Sequence, residues 1–213
     1  PYVCMSAILV AALLVPVVYA RAFGFVGDLI VLIYLLSMMR FFMALAALDT
    51  GSAFGGMGSS REMYISSIVE PTMLLSIFAM ALVAGTTSLG DIADGIATGG
   101  WDLVAPTLLL AAAAFFIATL AENARVPFDN PATHLELTMI HEAMLLEYSG
   151  KQLALMEISS MTKLIIFLAI LSNVFFPWGI ATDLTVLSLA GGLLAFLMKV
   201  LVLAVVIAII ESA

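Results

Sequence analysis

Residues 121–131 read Ala-Glu-Asn-Ala-Arg-Val-Pro-Phe-Asp-Asn-Pro, and residues 147–152 read Glu-Tyr-Ser-Gly-Lys-Gln. Between Glu122 and Glu157 lie six of the 15 acidic residues, Glu122, Asp129, Glu136, Glu142, Glu147 and Glu157, together with both histidines, His134 and His141. The flanks are long apolar runs. A polar segment set between such runs reads as a connection between membrane spans, and this decides the fold class.

Composition agrees. The chain is 64% hydrophobic and only 10% charged, against about 25% charged in soluble domains. The expected fold is all-α, a polytopic transmembrane bundle. Its 213 residues accommodate spans of about 20 residues each. Six are expected, at about 2–20, 27–48, 63–85, 103–122, 153–178 and 184–211, in a single membrane domain 1–213. The net charge of −8 excludes a nucleic-acid partner, which needs a basic surface. A single Cys4 excludes an intrachain disulfide or a thiolate cluster from this chain alone. The chain opens on Pro1 and closes just after Glu211, so a piece of a longer subunit is expected.

Between the spans, residues 49–62 are polar and Gly-rich; Gly55-Gly56-Met57-Gly58 reads as a flexible turn, because it lacks the Lys-Ser/Thr of a phosphate loop. Residues 86–102 read as a small acidic loop. In segment 123–152, the stretch 132–147 predicts a short amphipathic helix starting at Asn130-Pro131 and stopping at Gly150. At helical spacing His134, Thr138, His141 and Glu142 share one arc, and Glu136 and Glu147 another. Arg61, Arg125 and Lys151 fall on one side of the membrane and Arg21 on the other. The positive-inside rule then turns segment 123–152 to the cytoplasm, in a multi-pass cytoplasmic-membrane protein.

Glu70 sits inside an apolar span, where an ionised carboxylate costs roughly 2.5 kcal/mol or more. It must be paired, protonated or hydrated, with Arg40 or Arg61 as candidate partners. Glu122 and Glu157, at the ends of the spans flanking the acidic segment, suit either a polar pathway or snorkelling to the interface. Lys163, with Lys199, suits a line of charges crossing the membrane. Neighbouring carboxylates on the short helix titrate together. Asp129 beside Arg125 reads as a structural pair or turn. His141-Glu142 lacks the second His of a zinc helix, so no metal is expected.

The run Leu48-Asp-Thr-Gly-Ser-Ala-Phe, with Gly58-Ser-Ser-Arg61-Glu62 and Val69-Glu70-Pro71, is one of two sets of motifs. The other is Glu122-Asn-Ala-Arg125-Val-Pro127-Phe-Asp129, Glu147-Tyr-Ser-Gly150 and Phe176-Pro-Trp-Gly179. Together, in this order, they resemble the membrane-anchor subunit of the group 4 energy-converting NiFe hydrogenases, which include formate hydrogenlyase and hydrogenase-4. That family is homologous to the quinone-site membrane subunit of respiratory complex I. The resemblance implies eight spans in the full subunit, of which the second to the seventh are here. It implies a coupling role that docks a soluble redox arm and passes its redox event to proton or sodium translocation. Implied partners are soluble hydrogenase-like large and small subunits, an iron–sulfur subunit, antiporter-like membrane subunits and lipid. No cofactor is implied for this chain itself; the NiFe centre and iron–sulfur clusters belong to partner subunits, and quinone enters under the complex I alternative.

By the same resemblance Glu70 matches the family's intramembrane Glu, and Glu122, Arg125 and Asp129 match the start of its acidic loop. Glu136 and Glu147 match later carboxylates. The implied proton pathway takes in Glu70, Glu122, Asp129, Glu136, Glu142, Glu147, Glu157, His134, His141 and Lys163, with Arg40, Arg61 and Arg125 pairing structurally. Ala132 and His134 stand where complex I has two glutamates; His134, titrating near neutrality, suits a relay. The remaining alternative is a purely structural anchor.

Overall fold

A computed structural model describes residues 1–18, 29–98, 105–129, 139–181 and 185–212. The described elements are α1 (Tyr2–Leu14), α2 (Leu29–Asp49), α3 (Ala53–Ala84), α4 (Leu89–Thr98), α5 (Ala105–Glu122), α6 (His141–Leu145), α7 (Gly150–Ile170) and α8 (Val186–Ser212), with a π-helical turn Leu171–Phe175 prolonging α7. The chain is a helical membrane bundle, as its composition requires. Among the described residues, four helices are long and apolar enough to cross a membrane: Leu29–Asp49, Ala53–Ala84, Gly150–Phe175 and Val186–Ser212. Tyr2–Leu14 and Pro106–Glu122 are apolar but shorter.

Three expectations are corrected. The Gly-rich stretch 53–62 is not a loop but the first three turns of α3. Ser52 starts that helix, accepting a hydrogen bond from the Gly55 amide at 3.1 Å. Gly58 is in the helix because α6 packs on it: a Cβ there would lie 2.9 Å from Ala143 Cβ and 3.0 Å from the Ile140 carbonyl. The expected loop 86–102 contains α4, which buries Leu89, Ile92 and Ala93. The expected helix 132–147 is helical only over His141–Leu145 among the described residues. Met139 and Ile140 are non-helical and 146–149 form a turn, so Glu147 stands off the helix. Gly150, expected as a helix stop, opens α7 with φ +56°. Asn130-Pro131, His134 and Glu136 lie outside the described residues.

Helix lengths create the site. The 32 residues of α3 span about 48 Å, whereas the 18 of α5 span about 27 Å. On the side where α5 stops at Glu122, its neighbours continue, and the turn 123–129 and α6 fold into the space. The ends of α5 and α8 meet there through Arg125 and Glu211. Below that level Phe115 of α5 stacks on Phe167 of α7 and on Phe175, with centroids 5.8 and 5.2 Å apart. α8 lies outermost, with little of its surface buried.

Candidate polar relay and cavity

Arg40 of α2 is 2% exposed, a guanidinium in the middle of an apolar bundle. Such a charge survives only if paired and hydrogen-bonded. Its partners come from α3 and α5. Glu62, Ser66 and Glu70 recur every fourth residue on α3 and therefore line one face. Arg40 Nη1 lies 2.7 Å from Glu70 Oε1 and donates to Ser66 Oγ. Arg40 Nε is 3.9 Å from Glu62 Oε1. Arg40 Nη2 pairs with Glu122 Oε1. Ser37 Oγ donates to Glu70 Oε1 at 2.9 Å. One cation thus touches three carboxylates.

Glu122 has a second cation. Lys163 Nζ of α7 is 3.0 Å from Glu122 Oε1 and donates to the Glu122 backbone carbonyl at 2.7 Å. Glu122 is 5% exposed, held inside the bundle between its two cations. Between α3 and α7 the charges run Glu62 and Glu70, Arg40, Glu122, Lys163. Of the two candidate partners for Glu70, Arg40 is the one observed. Arg61 instead donates to the Met139 carbonyl at 3.3 Å.

Beside Glu122 and Lys163 opens a cavity of about 400 Å³. Its charged lining is Glu122, Arg125, Asp129, Glu142, Glu157 and Lys163, and its apolar wall includes Met39, Met43, Met139 and Met161. Glu157, on the exposed side of α7, reaches this lining. The turn 123–129 closes on itself through Arg125 N to Leu120 O at 2.9 Å and Phe128 N to Arg125 O at 2.8 Å. Arg125 and Asp129 form the expected turn but not the expected pair. Arg125 Nη1 binds Glu211 at 3.1 Å, while Asp129 Oδ2 accepts from the His141 amide at 3.1 Å and so ties the turn 123–129 to the start of α6.

Burial, then the charges of Lys163 and Arg125, push the His141 imidazole down to about 4. It is neutral around neutrality and lines the cavity wall. Glu147 is exposed and takes no part in the lining. Glu62 is the member that sequence reasoning passed over; its spacing of eight from Glu70 with Ser66 between was the available signal.

Lys199 does not extend this line of charges among the described residues. Its ammonium donates to the carbonyls of Phe176 and Ser172 at 2.8 and 3.1 Å and to Asn173 Oδ1 at 3.3 Å. Asn173 Nδ2 in turn donates to the Pro16 and Val17 carbonyls at 2.9 and 2.7 Å.

The chain is similar to Hydrogenase-4 component C of Escherichia coli (strain K12), 38% identical over 213 residues, covering 100% of this chain and 66% of that relative. It is similar to Formate hydrogenlyase subunit 4 of the same organism, 36% identical over 213 residues, covering 100% of this chain and 68% of the relative. A subunit of the NADH-quinone oxidoreductase of Rubrobacter xylanophilus is 30% identical over 131 residues, 62% of this chain and 39% of the relative. Among solved structures, a chain of the membrane-bound sulfane sulfur reductase, an archaeal respiratory membrane complex, superposes with a TM-score of 0.77 at 25% identity, covering 97% of this chain and 67% of that one. The chain spans about two thirds of the length of the first two relatives. The family described as NADH dehydrogenase matches residues 1–213, the whole chain. A helical membrane bundle with these relatives along its full length belongs to that family.

Proposed function

We propose that this chain is the membrane-anchor and coupling subunit of a multisubunit hydrogenase-type complex. It docks a soluble redox arm on the face carrying α6 and the turn 123–129, which is turned to the cytoplasm. It links electron transfer to translocation of protons (or sodium ions) through its buried carboxylates. The relatives named for hydrogenase-4 and formate hydrogenlyase carry the choice of complex.

The observation behind the coupling role is Arg40 shared by Glu62, Glu70 and Glu122, with Glu122 also held by Lys163 at a polar cavity. Three carboxylates against two cations leave one formal negative charge in excess, which a proton neutralises. A proton arriving on one carboxylate weakens that group's hold on Arg40 and strengthens the others'. The guanidinium then shifts toward those still ionised, so charge moves through the cluster without leaving a bare ion. A cavity of about 400 Å³ with this polar lining is roomy enough for ordered water. Water there joins Asp129, Glu142, Glu157 and His141 to Glu122, while Glu70 carries the path onward. Its carboxylate is the outermost of the three, with its side chain 33% exposed.

The test is Glu70→Gln in the purified complex reconstituted into vesicles. Electron transfer persists and the number of charges translocated per electron falls. Coupling at the wild-type ratio would overturn the relay through Glu70 and favour the structural-anchor reading, in which the carboxylates do no more than pair.

A second reading, a quinone-reducing site, is favoured by a cavity lined by four methionines together with Arg125 and His141 and by the relative named for NADH-quinone oxidoreductase. An amphipathic cavity of this kind suits a ring with polar edges. Under it, quinone-site inhibitors compete with quinone and lose potency in Met161→Trp; inhibitor-insensitive electron transfer excludes it.

A further inference from the structure

An arginine side chain keeps its protons in proteins, so Arg40 balances the charge of its cluster but cannot hand a proton across it. Its partners are divided around it. Glu62 faces Nε and Glu122 pairs with Nη2, while Glu70 and Ser66 share Nη1. A proton bound for Glu70 from either of the other carboxylates needs a group beside the guanidinium that takes up one proton and gives up another.

The hydroxyls of α3 show which group that is. Ser59 donates to the Ala44 carbonyl of α2. Ser60, Ser67, Thr72 and Ser76 donate to carbonyls three or four residues earlier in their own helix. Ser66, 6% exposed, makes no such donation among the described residues and instead accepts from Arg40. Buried polar groups as a rule find partners. A hydroxyl has one proton and two acceptor positions. With Arg40 on one acceptor position, Ser66 keeps one proton and one lone pair, the two things a proton-passing link requires. Ser66 stands one turn from Glu62 and one turn from Glu70 on the same face of α3. Residues so spaced are about 5–6 Å apart at Cβ, and a glutamate reaches a serine by rotating its side chain. The other hydroxyl of the cluster, Ser37, already gives its proton to Glu70, at 2.9 Å.

We propose that Ser66 is a proton bridge past Arg40, linking Glu62 to Glu70. A protonated Glu62 gives its proton to the free lone pair of Ser66 Oγ as the Ser66 hydroxyl proton leaves for the Glu70 carboxylate. An O–H bond breaks on Glu62 and one forms on Glu70. The serine ends with one proton, as it began, and rotation of its hydroxyl resets it; no electrons are exchanged. The Arg40 guanidinium, donating to the same oxygen, makes that O–H a better donor and follows the negative charge from Glu70 back to Glu62. The bridge rests on the coupling role proposed above and names the step by which Glu70 is reached.

The test is Ser66→Ala in the purified complex reconstituted into vesicles, with Ser66→Thr, Glu62→Gln and Glu70→Gln beside it. Electron transfer persists in Ser66→Ala, and its charges translocated per electron fall to the level of Glu70→Gln. Ser66→Thr, which keeps the hydroxyl, stays at the wild-type ratio. A wild-type ratio in Ser66→Ala together with a fall in Glu70→Gln overturns the bridge alone. A fall as deep in Ser66→Thr assigns the loss to packing around Arg40 and also overturns it. Should the alanine variant not assemble, Glu62→Gln decides, because it removes the carboxylate in excess and leaves Ser66 intact. A lowered ratio there supports the bridge, and a wild-type ratio overturns it. A wild-type ratio in Glu70→Gln removes the relay itself, and the bridge with it.

Discussion

Lys163 and Lys199 are both held inside an apolar bundle, but their partners differ in kind. Lys163 meets a carboxylate, Glu122, which Arg40 also holds. Lys199 meets only backbone carbonyls and a side-chain amide oxygen. Along α7 the first cluster and Ser172 are nine residues apart, about 13 Å, with buried Phe167 and Ile170 between them. Carbonyl and amide oxygens satisfy an ammonium but accept no proton at physiological pH. Carboxylates do both. Under the proposed coupling role the upper cluster is the one able to change its charge, while the lower one ties the segment after α1 to α7 and α8 at the π-helical turn. A charge inside a membrane domain marks function by default; the identity of its partners sorts relay from rivet.

The largest effect that can break this contrast is expected from Glu122→Leu. It strips the shared carboxylate from Arg40 and Lys163 and leaves buried charge uncompensated, a loss of about 3–5 kcal/mol. The subunit should then fail to accumulate in membranes, measured by immunoblot of the assembled complex. Normal accumulation would mean that water reaches the upper cluster and screens its charges. Lys199→Met comes next. It leaves buried oxygens without their donor, at a cost of about 1–3 kcal/mol, read as a lower midpoint in thermal unfolding. Charges translocated per electron in the surviving complex stay at wild type. A fall as deep as that in Glu70→Gln would erase the distinction between the two lysines.

A smaller effect sharpens the upper region. The His141 ring is held down to about 4 from its ordinary 6.5. Above about pH 6.5 it is neutral in folded and unfolded chains alike, and its neutral contacts count in full. Between about 6.5 and about 4 the unfolded chain takes up a proton that the folded one refuses, so stability falls as pH falls. Below about 4 the loss levels off. His141→Gln removes this component, and its unfolding midpoint varies less across that window than the wild type's. Identical pH profiles would place His141 outside the cavity's field.

Much of this was legible in the sequence because membrane spans are long apolar runs. The described helices α2 (Leu29–Asp49), α5 (Ala105–Glu122) and α8 (Val186–Ser212) fall in such runs. The misplacements have physical causes. Gly55, Gly56 and Gly58 looked like a turn because glycine weakens helices, but Gly55 and Gly58 pack so closely against α2 and α6 that a side chain would collide. α1 stops at Leu14, short of the expected 20. The site was half legible. Glu70 and Arg40 announced themselves as charges within apolar runs. Glu122 was ambiguous, since a carboxylate at a span end is buried only if neighbouring helices outlast its own, and relative helix length is a tertiary property. Glu62 was hidden in a polar stretch where one more charge excites no notice. The partners of Arg125 and Asp129 were out of reach, because Glu211 lies 86 residues from Arg125 and Asp129 chose a backbone amide.

The central claim is that a carboxyl group in the Arg40 cluster changes protonation when the complex turns over. Infrared difference spectra between its oxidised and reduced states test it directly. The expected result is a carbonyl-stretch band of a protonated carboxyl group that appears or vanishes with reduction in the wild type and is absent or displaced in Glu70→Gln. Identical difference spectra in the carboxyl region for wild type and Glu70→Gln would contradict it.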